Sequence, residues 1–453
     1  MISKHWQGIS LFSSGGIGDL AVKANDVAIL VAAELNEQRA KLHCRNFPET
    51  TMIAGDIWET KEEIISLTKQ KLAGDKLDFV FATPPCQGMS KNGQGKLLSG
   101  IRKGIKPKFD VRNQLIIPTL DIIIALQPDT VFLENVPEME NTFILNEPGE
   151  AINIIEYIKI RLGEKYQGKA EIAQFADYGI PQRRARLITV FTKQPKLIAH
   201  YQATGSFLPS PTHAKEGNGG KRQWVTLKNA IADLPKLDGK TKSSAVSPLA
   251  FHYVPVLDPK KYQWIFHTPP EKGAFDNQCV NPQCLFQENP THGSRRDEEG
   301  VNKASNETPL HCQECGELLP RPYTQEADGS VRLMSGYTSA YKRMAWDRPA
   351  ATITTNLSYP SSDHKLHPEQ HRVLSLYEAF ILHTLNKFAY KWETAPATPA
   401  KDTLIAEVLG ESIPPYAIYL FIKHLLEAAD KAEPPASLAR AILRRARQLG
   451  LPY

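Results

Sequence analysis

The first residue that could do chemistry is Cys86, which follows two prolines at the end of a short apolar run. Residues 79–82 have the length and composition of a buried strand, and Pro84 and Pro85 then end it. The thiol therefore stands at the carboxyl end of a strand, the edge of an α/β sheet where ligands gather. A nucleophile is one interpretation of Cys86. A buried, inert thiol after a rigid turn is the alternative, because free cysteines are among the most buried residues.

Four other cysteines lie close together later in the chain, as Cys279-x4-Cys284 and Cys312-x2-Cys315. In a reducing compartment such pairs favour tetrahedral zinc, and the pattern resembles a zinc ribbon. A loop-rich segment with a small core would need that metal to fold. Two disulfides, or a former site that no longer binds metal, are the alternatives. The sixth cysteine, Cys44, lies in a helical pattern and is expected to pack in the core.

The elements that would position Cys86 alternate between about residues 9 and 193. Short apolar runs occur at 9–12, 27–33, 79–82, 130–133 and 187–191, with helical stretches between several of them. This order predicts an α/β domain with a mainly parallel sheet covered by helices on both faces.

Two carboxylates stand at successive strand ends near a glycine-rich turn. The turn at 13–18 would let backbone N–H groups approach a ligand at a helix N-terminus. Glu34 ends the second run and is placed to bind a ribose diol, and Asp56, after the third, could accept from an adenine amino group. Either carboxylate alone would be an ordinary helix cap. Together with the turn they favour a nucleoside-shaped ligand.

A long stretch without periodicity, residues 89–113, follows Cys86 and contains five lysines and two arginines. Its position and charge are compatible with a basic flap that closes over a phosphate backbone. A solvated loop is the alternative.

Length, charge and hydropathy narrow the class of protein. A chain of 453 residues exceeds a usual single core, so two domains are expected. The net charge of +5 is compatible with a polyanionic partner without requiring one. The N-terminus lacks a signal-like segment and no run of eighteen apolar residues occurs, which indicates an intracellular, cytoplasmic protein.

Six motifs are similar, in order, to those of the DNA (cytosine-5)-methyltransferase family. They are Phe12-Ser13-Ser14-Gly15-Gly16, Pro84-Pro85-Cys86-Gln87, Glu134-Asn135-Val136, Gln182-Arg183-Arg184-Ala185-Arg186, the helix motif at 372–385, and Gly410-Glu411-Ser412-Ile413-Pro414-Pro415. The resemblance covers residues 8–193 and about 340–422. It implies a Rossmann-like, S-adenosylmethionine-dependent methyltransferase fold with a second, smaller target-recognition domain that here contains the zinc-ribbon-like insert.

The resemblance implies a role for each reactive residue. Cytosine C5 is a poor nucleophile, and addition of the Cys86 thiolate to C6 would activate it. Glu134 would act as the acid at N3, Arg186 would hold the base O2, and Arg184 would support Arg186. C5 would then take the methyl group of S-adenosylmethionine, with the base flipped out of the duplex. The sequence does not name the base that removes the C5 proton.

The same resemblance implies a cofactor site, and several of its positions depart from the family pattern. Ser14 and Glu411 stand where glycine and asparagine are usual, and His383 stands where glutamine is common. None of these touches the nucleophile, so activity is expected. The implied cofactor contacts are Phe12, Ser13, Ser14, Gly16, Glu34, Asp56, Ile57, Pro85, Leu115 and Ser412.

The predicted organisation has three parts. Residues 1–195 form the catalytic and cofactor-binding domain, 196–345 the target-recognition domain with its insert at 275–320, and 346–453 the late motifs and helices that return to the catalytic domain. A basic amphipathic helix is expected after Pro435 as a packed terminal element. Candidate contacts to DNA are Lys221, Arg222, Arg295, Arg296, Arg321 and Arg332.

We interpret the chain as a monomeric prokaryotic modification enzyme that acts on double-stranded DNA, with or without a cognate restriction endonuclease. A cytosine-5 RNA methyltransferase with a similar core is one rival, and the large recognition insert favours DNA over it. A nucleic-acid-binding module without activity is the other rival. The intact set of Cys86, Glu134 and Arg186 argues against that module.

Overall fold

The computed structural model describes residues 6–85, 111–146, 149–291, 294–296, 302–304, 308–334, 339–362 and 364–430. Cys86, most of the basic stretch at 89–113 and the helix expected after Pro435 lie outside the described residues. The sequence predictions for these segments stay predictions.

Strands and helices alternate through the first part of the chain. They are β1 Gln7–Leu11, α1 Ile17–Lys23, β2 Ala28–Glu34, α2 Glu37–Asn46, β3 Thr51–Ala54, α3 Ile57–Leu72, β4 Phe79–Ala82, α4 Ile116–Leu126 and β5 Thr130–Asn135. Asn36 caps α2 and Asp56 caps α3 by accepting backbone N–H groups. Every residue of β4 and β5 is buried, because these strands are central in the sheet and helices cover both of its faces.

The sheet is completed by two antiparallel neighbours. The chain continues through β6 Phe143–Leu145, β7 Ala151–Asn153, α5 Ile154–Leu162, β8 Gln167–Gln174, β9 Ala185–Thr192 and α6 Pro195–Thr204. The strand order is β3-β2-β1-β4-β5-β9-β8, with β9 antiparallel to both β5 and β8. The predicted α/β architecture with a mainly parallel sheet is confirmed. The order reverses between β1 and β4, and the carboxyl ends of these strands border the crevice where such sheets bind ligands.

The middle of the chain is rich in loops. Its elements are β10 His213–Ala214, β11 Arg222–Gln223, α7 Leu227–Ile231, α8 Pro259–Phe266, β12 Ser294–Arg296, β13 Asn302–Ala304, β14 Tyr323–Gln325 and β15 Val331–Leu333. A separate small core forms here around Trp264, Phe275 and Tyr341. Short 3-10 helices occur at Val111–Leu115, Pro137–Asn141, Phe175–Tyr178, Ala274–Asp276 and Leu385–Lys387.

The last described elements pack back onto the sheet half of the protein. They are α9 Leu376–Leu382, β16 Glu393–Ala395, β17 Thr398–Pro399, α10 Asp402–Glu411 and α11 Pro415–Asp430. Phe421 of α11 packs on the rings of Phe175 and Tyr178, at centroid distances of 6.1 and 4.7 Å. The predicted division at 195 and 345 stays a prediction.

Two further observations concern segments singled out in the sequence. The stretch Asp402–Asp430 is long and apolar enough to cross a membrane, but 67% of its most apolar window is buried within the protein, as in a core helix. Cys44 is exposed on α2, so the prediction that it packs in the core is wrong. Its helix turns the neighbouring Leu42 inward and leaves the thiol at the surface.

Candidate active site

A buried carboxyl group and an arginine meet at the carboxyl end of β5. Arg186 Nε on β9 lies 2.8 Å from Glu134 Oε1, and the two side chains are 14% and 9% exposed. Burial raises the pKa of Glu134, and the charges of Arg186 and Arg184 offset part of that rise. Oε1 accepts no well-aligned hydrogen bond from the described residues. The site therefore holds a carboxyl group that keeps a proton more readily than one in water, beside a fixed cation.

The loop that leads to Cys86 is fixed to both neighbouring strand ends. Asn135 Nδ2 donates to the Pro84 carbonyl at 3.2 Å, and Asn135 Oδ1 accepts from the Val136 N–H at 2.8 Å. On the other side, Thr83 Oγ1 donates to the Phe12 carbonyl at 3.1 Å. Cys86 lies outside the described residues, directly after the half-buried Pro85. The hydrogen bonds therefore fix Thr83 and Pro84, the last residues of the loop before Pro85, at the edge of the sheet that carries Glu134.

Arg184 connects the start of β9 to two late segments. Its guanidinium donates to the carbonyls of Ile353 at 2.9 Å, Gly410 at 3.1 Å and Ser412 at 2.7 Å, and the residue is 2% exposed. Because these bonds go to backbone carbonyls, Arg184 links the start of β9 to the segments at 353 and 410–412. Its predicted support of Arg186 stays a prediction.

The turn between β1 and α1 adopts left-handed backbone conformations. Phe12, Ser14 and Gly16 have φ angles of 60°, 48° and 84°. A Cβ at Gly16 would come within 2.5 Å of the Phe47 ring, so glycine is required there. The angle at Ser14 explains why glycine is the usual residue at that position. Its Oγ is buried without a hydrogen-bond partner among the described residues, which leaves a hydroxyl available to a ligand.

A chain of buried polar groups supports this turn from behind. Ser13 Oγ donates to Ser10 Oγ at 2.9 Å, and Ser10 Oγ donates to Asp19 Oδ1 at 2.6 Å. Asp19 Oδ2 lies 2.8 Å from His43 Nε2, and both of these residues are fully buried. The sequence analysis missed Asp19 and His43. The available signal was a charged residue and a histidine on the buried faces of α1 and α2.

Glu34 closes the turn from the end of β2. Its two carboxylate oxygens accept the N–H groups of Ser14 and Asn36, both at 2.8 Å, and the residue is 8% exposed. Burial raises the pKa of Glu34, while these N–H groups and the charge of Arg39 lower it in part. Each oxygen keeps a further lone pair, so a diol could still donate to the carboxylate.

The other predicted cofactor contacts are more dispersed. Asp56 follows the adjacent strand β3, where it is exposed and accepts the Trp58 N–H at 2.9 Å. Ile57 is buried in the sheet core, and Leu115, near the start of α4, packs against the same core. The structure thus brings Glu34 to the turn and leaves Asp56 at the neighbouring strand end.

The late motif reaches the same crevice. Ser412 Oγ lies 3.0 Å from His383 Nε2, and Glu411 forms a 2.6 Å ion pair with Arg39 of α2. Tyr390 donates to the Gly15 carbonyl at 2.6 Å. These contacts link α2, the turn and α10, so that residues far apart in sequence build one site.

Comparison with known proteins identifies the family. The profile of the C-5 cytosine-specific DNA methylases matches residues 6–427. The chain belongs to the C-5 cytosine-specific DNA methylase family. It is 30% identical over 428 residues to the Type II methyltransferase M1.HgaI of Avibacterium volantium, covering 92% of this chain and 97% of that protein. It is 24% identical over 401 residues to a putative type II methyltransferase, M.OihORF3336P, of Oceanobacillus iheyensis, covering 78% of this chain and 79% of that one.

Solved structures support the fold of this methylase. The Entamoeba histolytica methyltransferase EhMeth has a TM-score of 0.51 and 14% identity, and the comparison covers 95% of this chain and 100% of that chain. At such identity the likeness shows the fold alone. The predicted family, methyltransferase activity and Rossmann-like fold are confirmed. Membership implies S-adenosylmethionine as the methyl donor and DNA as the substrate.

The four late cysteines of the methylase converge on one point. All four sulfur atoms lie within 4.8 Å of one another, with 3.7 Å between Cys279 and Cys315 and 3.9 Å between Cys284 and Cys312. A tetrahedron of Zn–S bonds of about 2.3 Å places its sulfur atoms about 3.8 Å apart. The donor set and its spacing therefore fit a tetrahedral metal ion.

The basic residues predicted to contact DNA have different surroundings. Lys221 and Arg222 are exposed, and Arg332 is exposed in an ion pair with Glu326. The prediction for Arg321 is wrong, because this residue is fully buried and donates to backbone carbonyls. The side chains of residues 295 and 296 lie outside the described part of the chain.

Proposed function

We propose that this methylase transfers a methyl group to C5 of a flipped cytosine in a specific duplex DNA sequence through a covalent Cys86–C6 adduct. The observation that carries the proposal is the buried pair of Glu134 and Arg186 at the strand edge to which Pro84, two residues before Cys86, is hydrogen-bonded. A protonatable carboxyl group and a cation at this edge suit the N3 and O2 atoms of a cytosine ring.

The protein groups divide the reaction between them. The Cys86 thiolate forms a bond to C6 while Glu134 gives a proton to N3, so the electron pair of the C5–C6 double bond becomes available at C5. Arg186 holds O2 and stabilises the charge that develops there. Its guanidinium carries five N–H groups, more than its contacts with Glu134 and the Ala185 carbonyl use. Once C5 has taken the methyl group, loss of the C5 proton to a base and return of the N3 proton to Glu134 restore the C5–C6 double bond as the Cys86 thiolate leaves.

The turn and strand ends around Ser14 and Glu34 fit the nucleoside of S-adenosylmethionine. The Ser14 hydroxyl, which has no hydrogen-bond partner within the described part of the chain, belongs to the turn whose Ser14 N–H is bound by Glu34. When bound, the cofactor supplies an electrophilic methyl group. The residues proposed to hold it are Phe12, Ser13, Ser14, Gly16, Glu34, Asp56, Ile57, Pro85, Leu115 and Ser412.

Trapping of the adduct tests the mechanism. Duplex DNA with fluorine at C5 of the target cytosine cannot lose that substituent as a proton, so wild-type enzyme and cofactor should form a species that survives denaturing electrophoresis. Cys86→Ser should form none, and Cys44→Ser, which changes the exposed thiol on α2, should behave as wild type. Glu134→Gln should slow methyl transfer at least 100-fold. Methylation that persists in Cys86→Ala, or incorporation of labelled methyl groups only into tRNA, would contradict the proposal.

We propose that the cellular role is that of a prokaryotic modification enzyme, which works as a monomer in the cytoplasm alongside or without a cognate endonuclease. The support is the similarity to proteins named Type II methyltransferases. Bisulfite sequencing of DNA from cells that express the protein should show one sequence with protected cytosines. Protection without any common sequence would contradict it.

We further propose that Cys279, Cys284, Cys312 and Cys315 bind a structural zinc ion in the target-recognition segment. The support is the match between their sulfur spacing and a tetrahedral thiolate site. Purified protein should contain one zinc per chain. Its removal by a chelator should abolish DNA binding and leave S-adenosylmethionine binding largely intact. Loss of cofactor binding on chelation would contradict this separation.

A further inference from the structure

A fully buried arginine, Arg321, is hydrogen-bonded to the backbone segments that lead to the cysteines. Arg321 Nε donates to the Asn277 carbonyl at 2.8 Å, and its Nη1 donates to the carbonyls of Pro290 at 2.9 Å and Pro309 at 2.8 Å. Asn277 precedes Cys279 by two residues and Pro309 precedes Cys312 by three. One side chain therefore joins the segments that carry both cysteine pairs.

The segment that contains Pro290, the third partner of Arg321, contacts a cysteine sulfur atom. Pro290 follows Asn289, whose Nδ2 donates to Cys312 Sγ at 3.6 Å. Leu319, two residues before Arg321, packs in one small apolar cluster with Cys279 and Cys312. The arginine is thus connected to the cysteines through short stretches of backbone on each side.

Among the described residues, no carboxylate lies within ion-pair distance of Arg321. Its Nη2 is buried without a hydrogen-bond partner among them. Burial lowers the pKa of Arg321 to about 10, and the more distant Asp276 offsets only part of that effect. A buried cation in such surroundings is costly unless a negative charge lies nearby.

A zinc ion bound by four thiolates supplies such a charge. Four thiolates and one Zn²⁺ carry a net charge of about −2. Cys279 and Cys312 are buried and Cys315 is exposed, so this charge is costly on the inner side of the site. The cation and the inner side of the metal site would therefore each reduce the cost of burying the other.

We propose that Arg321 assembles and electrically balances the metal site: it holds the two cysteine pairs at the spacing the ion requires and offsets the charge of the thiolates. This inference rests on the proposed zinc site. It gives Arg321 a role in keeping the metal, in place of the predicted contact with DNA.

Arg343 provides a matched control in the same part of the chain. It is also an almost fully buried arginine, burial also lowers its pKa to about 10, and none of its partners adjoins a cysteine. Its guanidinium donates to the carbonyls of Thr268, Ile265, His367 and Gln370.

The experiment measures the rate at which zinc passes from the full-length enzyme to a chromophoric chelator in excess. Arg321→Met should release zinc at least tenfold faster than wild type, as expected when a group that supports metal ligands is removed. Arg321→Lys, which keeps the charge and fewer of the hydrogen bonds, should fall between the two. Arg343→Met should lower thermal stability while releasing zinc within about twofold of the wild-type rate.

The outcomes separate the two proposals. Wild-type protein that contains no zinc would overturn the metal site itself. Zinc-loaded wild type with equal release from Arg321→Met and Arg343→Met would overturn the role of Arg321 alone. Release from Arg321→Lys as fast as from Arg321→Met would overturn the charge component. Cofactor binding by each variant, measured in parallel, verifies that the catalytic half is folded.

Discussion

Replacing Arg184 by methionine should destabilise the folded enzyme by about 3–5 kcal/mol. The side chain is 2% exposed, and its guanidinium donates to three backbone carbonyls, those of Ile353, Gly410 and Ser412. Hydrogen bonds from a charged donor contribute roughly 1.5–3 kcal/mol each, so the three together set an upper range of about 5–9 kcal/mol. Methionine keeps the apolar packing that the methylene groups of Arg184 provide, and water can hydrogen-bond the partly exposed Ser412 carbonyl. The expected loss of stability therefore falls to about 3–5 kcal/mol.

Urea unfolding followed by fluorescence measures this loss. Arg183→Met is the matched control, because the neighbouring side chain is exposed and its removal should change stability by no more than about 0.5 kcal/mol. Since Gly410 and Ser412 belong to the late motif beside the proposed cofactor crevice, Arg184→Met should also weaken S-adenosylmethionine binding. A loss of stability below about 1 kcal/mol, or an equal loss in Arg183→Met, would refute the conclusion that the hydrogen bonds of Arg184 hold β9 to the late segments.

Three further predictions follow from the site. Burial raises the pKa of Glu134 in the folded enzyme above the value near 4.5 expected in the unfolded chain. Protonated Glu134 should therefore contribute fully to the free energy of unfolding below pH 4.5, and this contribution should be lost as the pH rises through the pKa of the folded state. Methyl transfer should fall over the same rise, and Glu134→Gln should abolish this pH dependence of stability; an unchanged profile would contradict the acid role. Tyr390→Phe removes the bond to the Gly15 carbonyl and should raise the KM for S-adenosylmethionine several-fold with kcat unchanged, so that a fall in kcat alone would argue against it. Asn135→Ala removes the hydrogen bond to the Pro84 carbonyl and should lower the single-turnover rate constant of methyl transfer about tenfold. A rate equal to that of the wild type would show that the loop before Cys86 does not need this hydrogen bond.

The sheet could be predicted from the sequence because its central strands are apolar along their whole length. β4 and β5 are buried at every position, so their sequences have the continuous apolar character of strands covered on both faces. β8 could not be found in this way. It is an edge strand whose residues, Gln167 to Gln174, are mostly half-buried or exposed, and its pattern is that of a polar loop.

The candidate site shows the same limit at the level of side chains. Glu34 and Glu134 were identifiable because each ends an apolar run, and the end of a strand fixes where its side chain lies. Asp19 and His43 were missed because their 2.8 Å contact depends on how α1 packs against α2, which no local pattern records. The contact with DNA predicted for Arg321 was wrong because residue type gives charge but not burial.

The long segment between the turn at Gly15 and the late motif means that contacts distant in sequence must hold the crevice together. The turn around Gly15 and the late motif are separated by nearly 400 residues of sequence, so closing the crevice costs loop entropy that local contacts cannot offset. The contacts that close it are hydrogen bonds and an ion pair from buried or partly buried side chains: Arg184 to Ser412, Tyr390 to Gly15 and Arg39 to Glu411. The middle segment, if it is the proposed recognition segment with its own metal, would not draw on these contacts. Its sequence could then vary with the DNA sequence it reads while the crevice keeps its geometry.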